Sequence, residues 1–132
     1  MNLEECRNTY YDYSRKASEI VRYLGFAGIA LVWIFRTENN GVIAVPVKLL
    51  FPSILLIVGL ALDLLHAVTG TMTWAIYNRY KEYSGTKETD RFKAPAWINW
   101  GTLFFFWTKI VVIIWAYALL LSFLFYKFCV SN

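Results

Sequence analysis

Three ionisable side chains interrupt otherwise apolar stretches of this chain: Asp63, His66 and Lys109. A charge in such a stretch costs about 2.5–3.5 kcal/mol on bilayer-insertion scales, so it pairs with another group or faces water. Asp63 and His66 belong to a stripe formed by Gly59, Asp63, His66, Gly70, Thr73, Tyr77 and Tyr80, with steps that alternate four and three. That spacing keeps all seven on one face of a helix. Every member is small or polar, while the other faces carry Leu, Ile, Val, Ala and Trp. Three chemistries fit, one of them a buried site for a ligand or a lipid headgroup. Another is an internal ion pair between Lys109 and Asp63, with His66, Thr69 and Thr108 as further partners, that fixes how helices dock. The third is a water-filled path for ions or protons lined by Asp63, His66, Thr73 and Lys109. There His66 adds pH sensitivity, since imidazole titrates near neutrality. Gly59, Gly70, Tyr77 and Tyr80 are the helix-packing part of the seam.

The elements that must position these residues are long apolar runs. Of 132 residues, 58% are hydrophobic and 19% aromatic, against about half apolar in soluble domains. The expected fold is an all-α membrane protein with three transmembrane helices, helices one and two extending into the cytoplasm. Residues 1–19 are a cytoplasmic helix extension, 20–35 span one, 36–48 an outer loop and 49–77 span two. Residues 78–96 are a cytoplasmic loop, 97–126 span three and 127–132 an outer tail. Span one is short for a crossing of ~20 residues, and Arg22 and Arg36 snorkel from its ends. Lys109 stands nine residues past Trp100, roughly 13 Å deep at the helical rise. On an antiparallel helix two that depth falls near residue 68, within reach of Asp63 and His66, so Lys109 is expected to pair with Asp63.

Helix one is expected to begin near residue 3, after an Asn2–Glu5 capping-box spacing. A heptad-like stripe of Leu3, Cys6, Tyr10, Tyr13, Ala17, Ile20, Leu24, Ala27, Leu31 and Ile34 is expected to pack on a neighbouring helix or to form an oligomer seam. Pro46 suits the start of helix two, Pro52 would kink it, and Gly85 stops it after about Tyr83. Residues 84–95 have room for a short surface helix before Pro95 opens helix three. Gly25, Gly28, Gly59, Gly70 and Ala116 allow close helix contact.

Basic residues set the orientation. Arg7, Arg15, Lys16 and Arg22, with Arg79, Lys81, Lys87, Arg91 and Lys93, fall on one side of three spans, and Arg36, Lys48 and Lys127 on the other. The positive-inside rule puts the N-terminus in the cytoplasm and the C-terminus outside. Trp74, Tyr77, Trp97 and Trp100 then form an inner aromatic belt, Trp33 and Tyr126 an outer one. Cys6 and Cys129 fall on opposite sides. Arg15, Lys16, Arg79, Lys81, Lys87, Arg91 and Lys93, interleaved with tyrosines, are candidates to hold a cytosolic protein or a phosphate-bearing ligand. The plainer reading is charge beside anionic lipid. No phosphate-binding loop, dinucleotide fingerprint, zinc-protease motif or CxxC pair is present. The chain is read as no enzyme, with no metal or cofactor.

Residues 11–35 (YDYSRKASEIVRYLGFAGIALVWIF) carry Ser14, Lys16, Ser18, Ile20, Val21, Arg22, the AGIA run at 27–30, Trp33 and Phe35. This stretch resembles the opening of small uncharacterised bacterial multi-spanning membrane proteins. Chains of that kind resemble membrane effectors or accessory subunits of anti-phage systems, which implies an antiviral setting and carries over no residue. The expected function is a homo-oligomeric bacterial inner-membrane channel or membrane-perturbing effector working through the polar seam of helix two. The alternatives are an accessory subunit anchoring a cytosolic partner through residues 3–19 and 78–94, or a small proton-coupled exporter in which Asp63 titrates.

Overall fold

A computed structural model of the chain describes residues 3–85 and 93–130. Helix α1 spans Leu3–Ile34, strands β1 (Thr37–Asn39) and β2 (Val42–Ala44) follow, and α2 spans Val47–Tyr83. A 3-10 turn at Ala96–Asn99 leads into α3 (Trp100–Phe125), which ends in a π-helical turn at Tyr126–Val130. Three of these helices are long and apolar enough to cross a membrane, over Tyr11–Ile34, Val47–Tyr83 and Ala96–Val130.

Local sequence sets each boundary. Arg36 follows the last turn of α1, and the chain then reverses through a hairpin rather than the plain loop read from 36–48. Thr37 pairs with Ala44, Glu38 with Ile43 and Asn39 with Val42. Asn40 and Gly41 both take positive φ, 51° and 76°, the two-residue turn that Asn-Gly favours because it matches strand twist. Pro46, at φ −53°, precedes the first residue of α2, where a missing N–H costs nothing. Pro52 lies buried within α2, and the next residue, Ser53, donates its hydroxyl to the Leu49 carbonyl at 2.5 Å. Gly85 at φ +73° closes α2 in the left-handed conformation glycine supplies. Of the surface helix read within 84–95, residues 86–92 lie outside the described residues.

The helices pack with a regular register. Between α2 and α3, which run antiparallel, Gly70 faces Thr102 and Gly59 faces Ile113. Between α1 and α2, also antiparallel, Gly25 faces Leu60 and Gly28 faces Leu56. The core lies on the β-hairpin side of this arrangement and unites Val21, Val32, Leu49, Leu56, Ile113, Ala116 and Leu120. A methyl group built on Gly59 would come within 2.5 Å of Ile113 Cδ1 and 2.8 Å of its Cγ1. Gly59→Val should therefore overpack this contact and destabilise by about 1–3 kcal/mol, read as a lower unfolding midpoint in detergent. Adding Ile113→Ala should return much of the loss; a double variant no better than the single would show that the two do not share that space.

Leu3, Cys6 and Tyr10 lie outside the described side chains; over its other residues the heptad-like stripe of α1 is not the face packed on α2 and α3. Tyr13, Ile20, Leu24, Ala27 and Ile34 are exposed, and Ala17 and Leu31 half-buried. The buried line is instead Val21, Gly25, Gly28 and Val32. Where lipid surrounds a helix, apolarity does not mark the inward side, because tails are as apolar as a core; small residues mark it instead.

Candidate functional site

Halfway along the bundle the three helices meet in a polar layer. Lys109, carried on α3, is fully buried, at 0% exposure. An ammonium has three donors and accepts nothing. Lys109 Nζ directs them to Asp63 Oδ1 at 2.6 Å, Ser18 Oγ at 2.8 Å and His66 Nδ1 at 3.0 Å. Its donor capacity is thereby used in full. Because His66 Nδ1 can only accept from an ammonium, the ring proton of the neutral imidazole resides on Nε2.

The second carboxylate oxygen of Asp63 accepts from Arg22 Nε of α1 at 2.9 Å. Asp63 is thus bridged by two cations from different helices, which ties α1 and α3 to α2 through one carboxylate. Its side chain is 8% exposed, whereas that of Arg22 is 51% exposed. Phe106 covers the layer from α3, its ring centroid 5.5 Å from Lys109 Nζ and 5.7 Å from the His66 ring. No buried side-chain nitrogen or oxygen among the described residues lacks a partner, as a buried charge network requires.

The layer is the floor of a cleft of about 630 Å³, within the usual range of ligand pockets. Its walls are Tyr11, Ser14, Arg15, Ser18 and Arg22 of α1, residues of α2 from Asp63 to Trp74, and Asn99 to Phe106 leading into α3. The cleft therefore occupies the half of the bundle that holds the 78–96 connection. A smaller cavity of about 270 Å³ adjoins Arg22, Asp63 and Ala67 and is otherwise lined by Phe26, Leu60 and Leu64. On the hairpin side of the layer, Gly59 packs against Ile113 and Gly28 against Leu56.

The residues picked out in the sequence divide accordingly. Asp63, His66 and Lys109 come together, and Ser18 and Arg22 join them unforeseen. Thr73 is half-buried on α2, outside both the network and the cleft lining. Thr108 spends its hydroxyl on the Phe104 carbonyl at 2.7 Å, and Thr69 packs on Gly101; neither touches the charges. Gly59 and Gly70 lie in the α2–α3 contact. Tyr77 is half-buried, edge-on to Trp74 at 6.1 Å with Lys81 Nζ 5.8 Å from its ring. Tyr80 is 66% exposed and lies past the level at which α3 begins.

Among the described residues the basic set does not gather at one site. Arg15 lines the cleft and pairs with Asp12 at 3.4 Å. Lys16, Arg79 and Lys93 are exposed elsewhere, Lys81 sits over Tyr77, and Lys87 and Arg91 lie outside the described residues. At the opposite end cations stack on aromatic rings: Arg36 on Trp33 at 5.0 Å, Lys48 on Tyr126 at 3.9 Å and Lys127 on Phe35 at 4.6 Å. Among the described residues no cluster of three His, Cys, Asp or Glu could hold a metal ion. No protein-family model matches the chain, and no curated protein or solved structure is significantly similar to it.

Proposed function

We propose that this chain is a bacterial inner-membrane protein of three spans that works as a homo-oligomer, forming a channel or a membrane-perturbing assembly. By the positive-inside rule its N-terminus and the 78–96 connection are cytoplasmic and its C-terminus is outside. The observation that carries the oligomer is a mismatch between flanks. α1 runs parallel to α3, with Ser18 beside Lys109 and the Tyr117 hydroxyl donating to the Leu24 carbonyl at 2.7 Å. At the level just before Ser18, α3 turns Phe104 and Trp107 outward, and α2 turns Val68 and Met72 outward. Around Ser18, α1 exposes Asp12, Arg15, Lys16 and Glu19, which fall inside the candidate span Tyr11–Ile34 and not in a cytoplasmic extension over residues 1–19.

Two flanks therefore suit hydrocarbon and the third does not. Each charge left against lipid at depth would cost about 2.5–3.5 kcal/mol. Asp12, Lys16 and Glu19 share one stripe of α1 at steps of four and three, and their signs alternate. Copies that turn these flanks toward one another remove the charges from lipid and place them along water. The conducting surface falls on α1 in this arrangement, since Asp63 and Lys109 are already satisfied within one chain.

Counting the chains per particle in nanodiscs tests the reading. A closed ring of several chains is the expected result, with Glu19→Gln changing the cation-to-anion permeability ratio in planar bilayers. A monomeric particle would sink the channel and leave the charged flank to a different protein, as in an anchoring subunit.

A further inference from the structure

The polar layer sets two cations, Arg22 and Lys109, against one carboxylate, Asp63. The layer retains one positive charge that nothing among the described residues offsets. The groups it turns to the cleft are donors. Arg22 spends Nε on Asp63, and its two Nη groups have no partner among the described residues. Ser18 accepts from Lys109 through Oγ, which leaves its own proton to give. His66 accepts at Nδ1, which leaves Nε2–H as a donor. Each of the three lines the cleft, with Arg15 beside them. Several donors around an excess positive charge suit a multivalent oxyanion, and a forked guanidinium suits phosphate in particular.

The second cavity supplies the other half of a ligand. It meets the cleft at Arg22, Asp63 and Ala67 and continues between α1 and α2 along Phe26, Leu60 and Leu64. A molecule with its oxyanion on Arg22 would lay an apolar chain along that groove. We infer that this is a binding site for an anionic phospholipid, its headgroup phosphate held by Arg22, Ser18 and His66 and an acyl chain lying along Phe26, Leu60 and Leu64. The site rests on the membrane reading above but not on the number of chains in the particle.

The test is native mass spectrometry of the detergent-purified protein exposed to phosphatidylglycerol or to phosphatidylcholine. The wild-type chain should retain phosphatidylglycerol at least about tenfold better, the scale of one charge-assisted interaction. Arg22→Gln should abolish the preference while Lys109 and Asp63 still neutralise each other. Ala67→Leu fills the junction of the two cavities without changing any charge, and should lower retention even if Arg22→Gln folds poorly. Equal retention of the two lipids, or a preference that survives both variants, overturns the site. Displacement of the lipid by inorganic phosphate alone would assign the cleft to a soluble anion and overturn the lipid. A protein that never reaches the membrane fraction would instead defeat the membrane reading, so the two failures are separable.

Discussion

Asp63→Asn should destabilise the protein by about 3–5 kcal/mol, the cost of breaking a buried ion pair from one side. The amide leaves Lys109, at 0% exposure, and Arg22 facing each other with no negative charge between them. The expected readout is a large drop in the unfolding midpoint in detergent, followed by tryptophan fluorescence. Loss of ion flux with an unchanged midpoint would contradict this and make Asp63 a working group in conduction. A lower midpoint with flux intact in the surviving fold would assign it to helix docking.

Lys109→Met should also destabilise, by about 2–4 kcal/mol, slightly less because Arg22 still neutralises Asp63. Methionine fills most of the volume, but Ser18 and His66 lose the ammonium that each accepts from. The decisive comparison is the pair. Asp63→Asn combined with Lys109→Met should lose less than the sum of the single losses, by more than about 1 kcal/mol, since the double variant no longer strands the ammonium. Additive losses would mean that the 2.6 Å contact contributes little to stability.

The meeting of Asp63 and Lys109 was legible because it follows from arithmetic. Two antiparallel helices with a common rise put residues at equal depth side by side, and in an apolar stretch opposite charges have few alternatives. Arg22 and Ser18 escaped because Arg22 was treated as the snorkelling end of a short span. A signal was present: Ser14, Ser18 and Arg22 recur every fourth residue, a polar stripe on the α1 face that carries Val21 and Gly25. The hairpin escapes a reading of 36–48 as a plain loop, although Asn40–Gly41 is a dipeptide that matches strand pairing. The register of α1 against its neighbours was not legible at all. Its offset is set by where Gly28 admits Leu56 and Gly25 admits Leu60, and the sequence shows only that small residues exist there. The expectation that the heptad-like stripe of α1 packs within the chain fails for the same reason; its other reading, an oligomer seam, is unaffected.

The order of the chain adds a consequence to the bridged carboxylate. Synthesis releases α1 and α2 before α3, and these two already contain a neutral couple, Arg22 with Asp63. In the membrane setting proposed above, a helical hairpin entering the bilayer first would carry no net charge from this couple and would leave one aspartate oxygen open. The third helix arrives with a single lysine in its apolar stretch, which disfavours its partition into lipid on its own. The open oxygen would then give that lysine a reason to settle on one side of the hairpin and at one height. Under that proposal the aspartate would serve as a template for biogenesis, with an order of assembly written into which of its oxygens is occupied first.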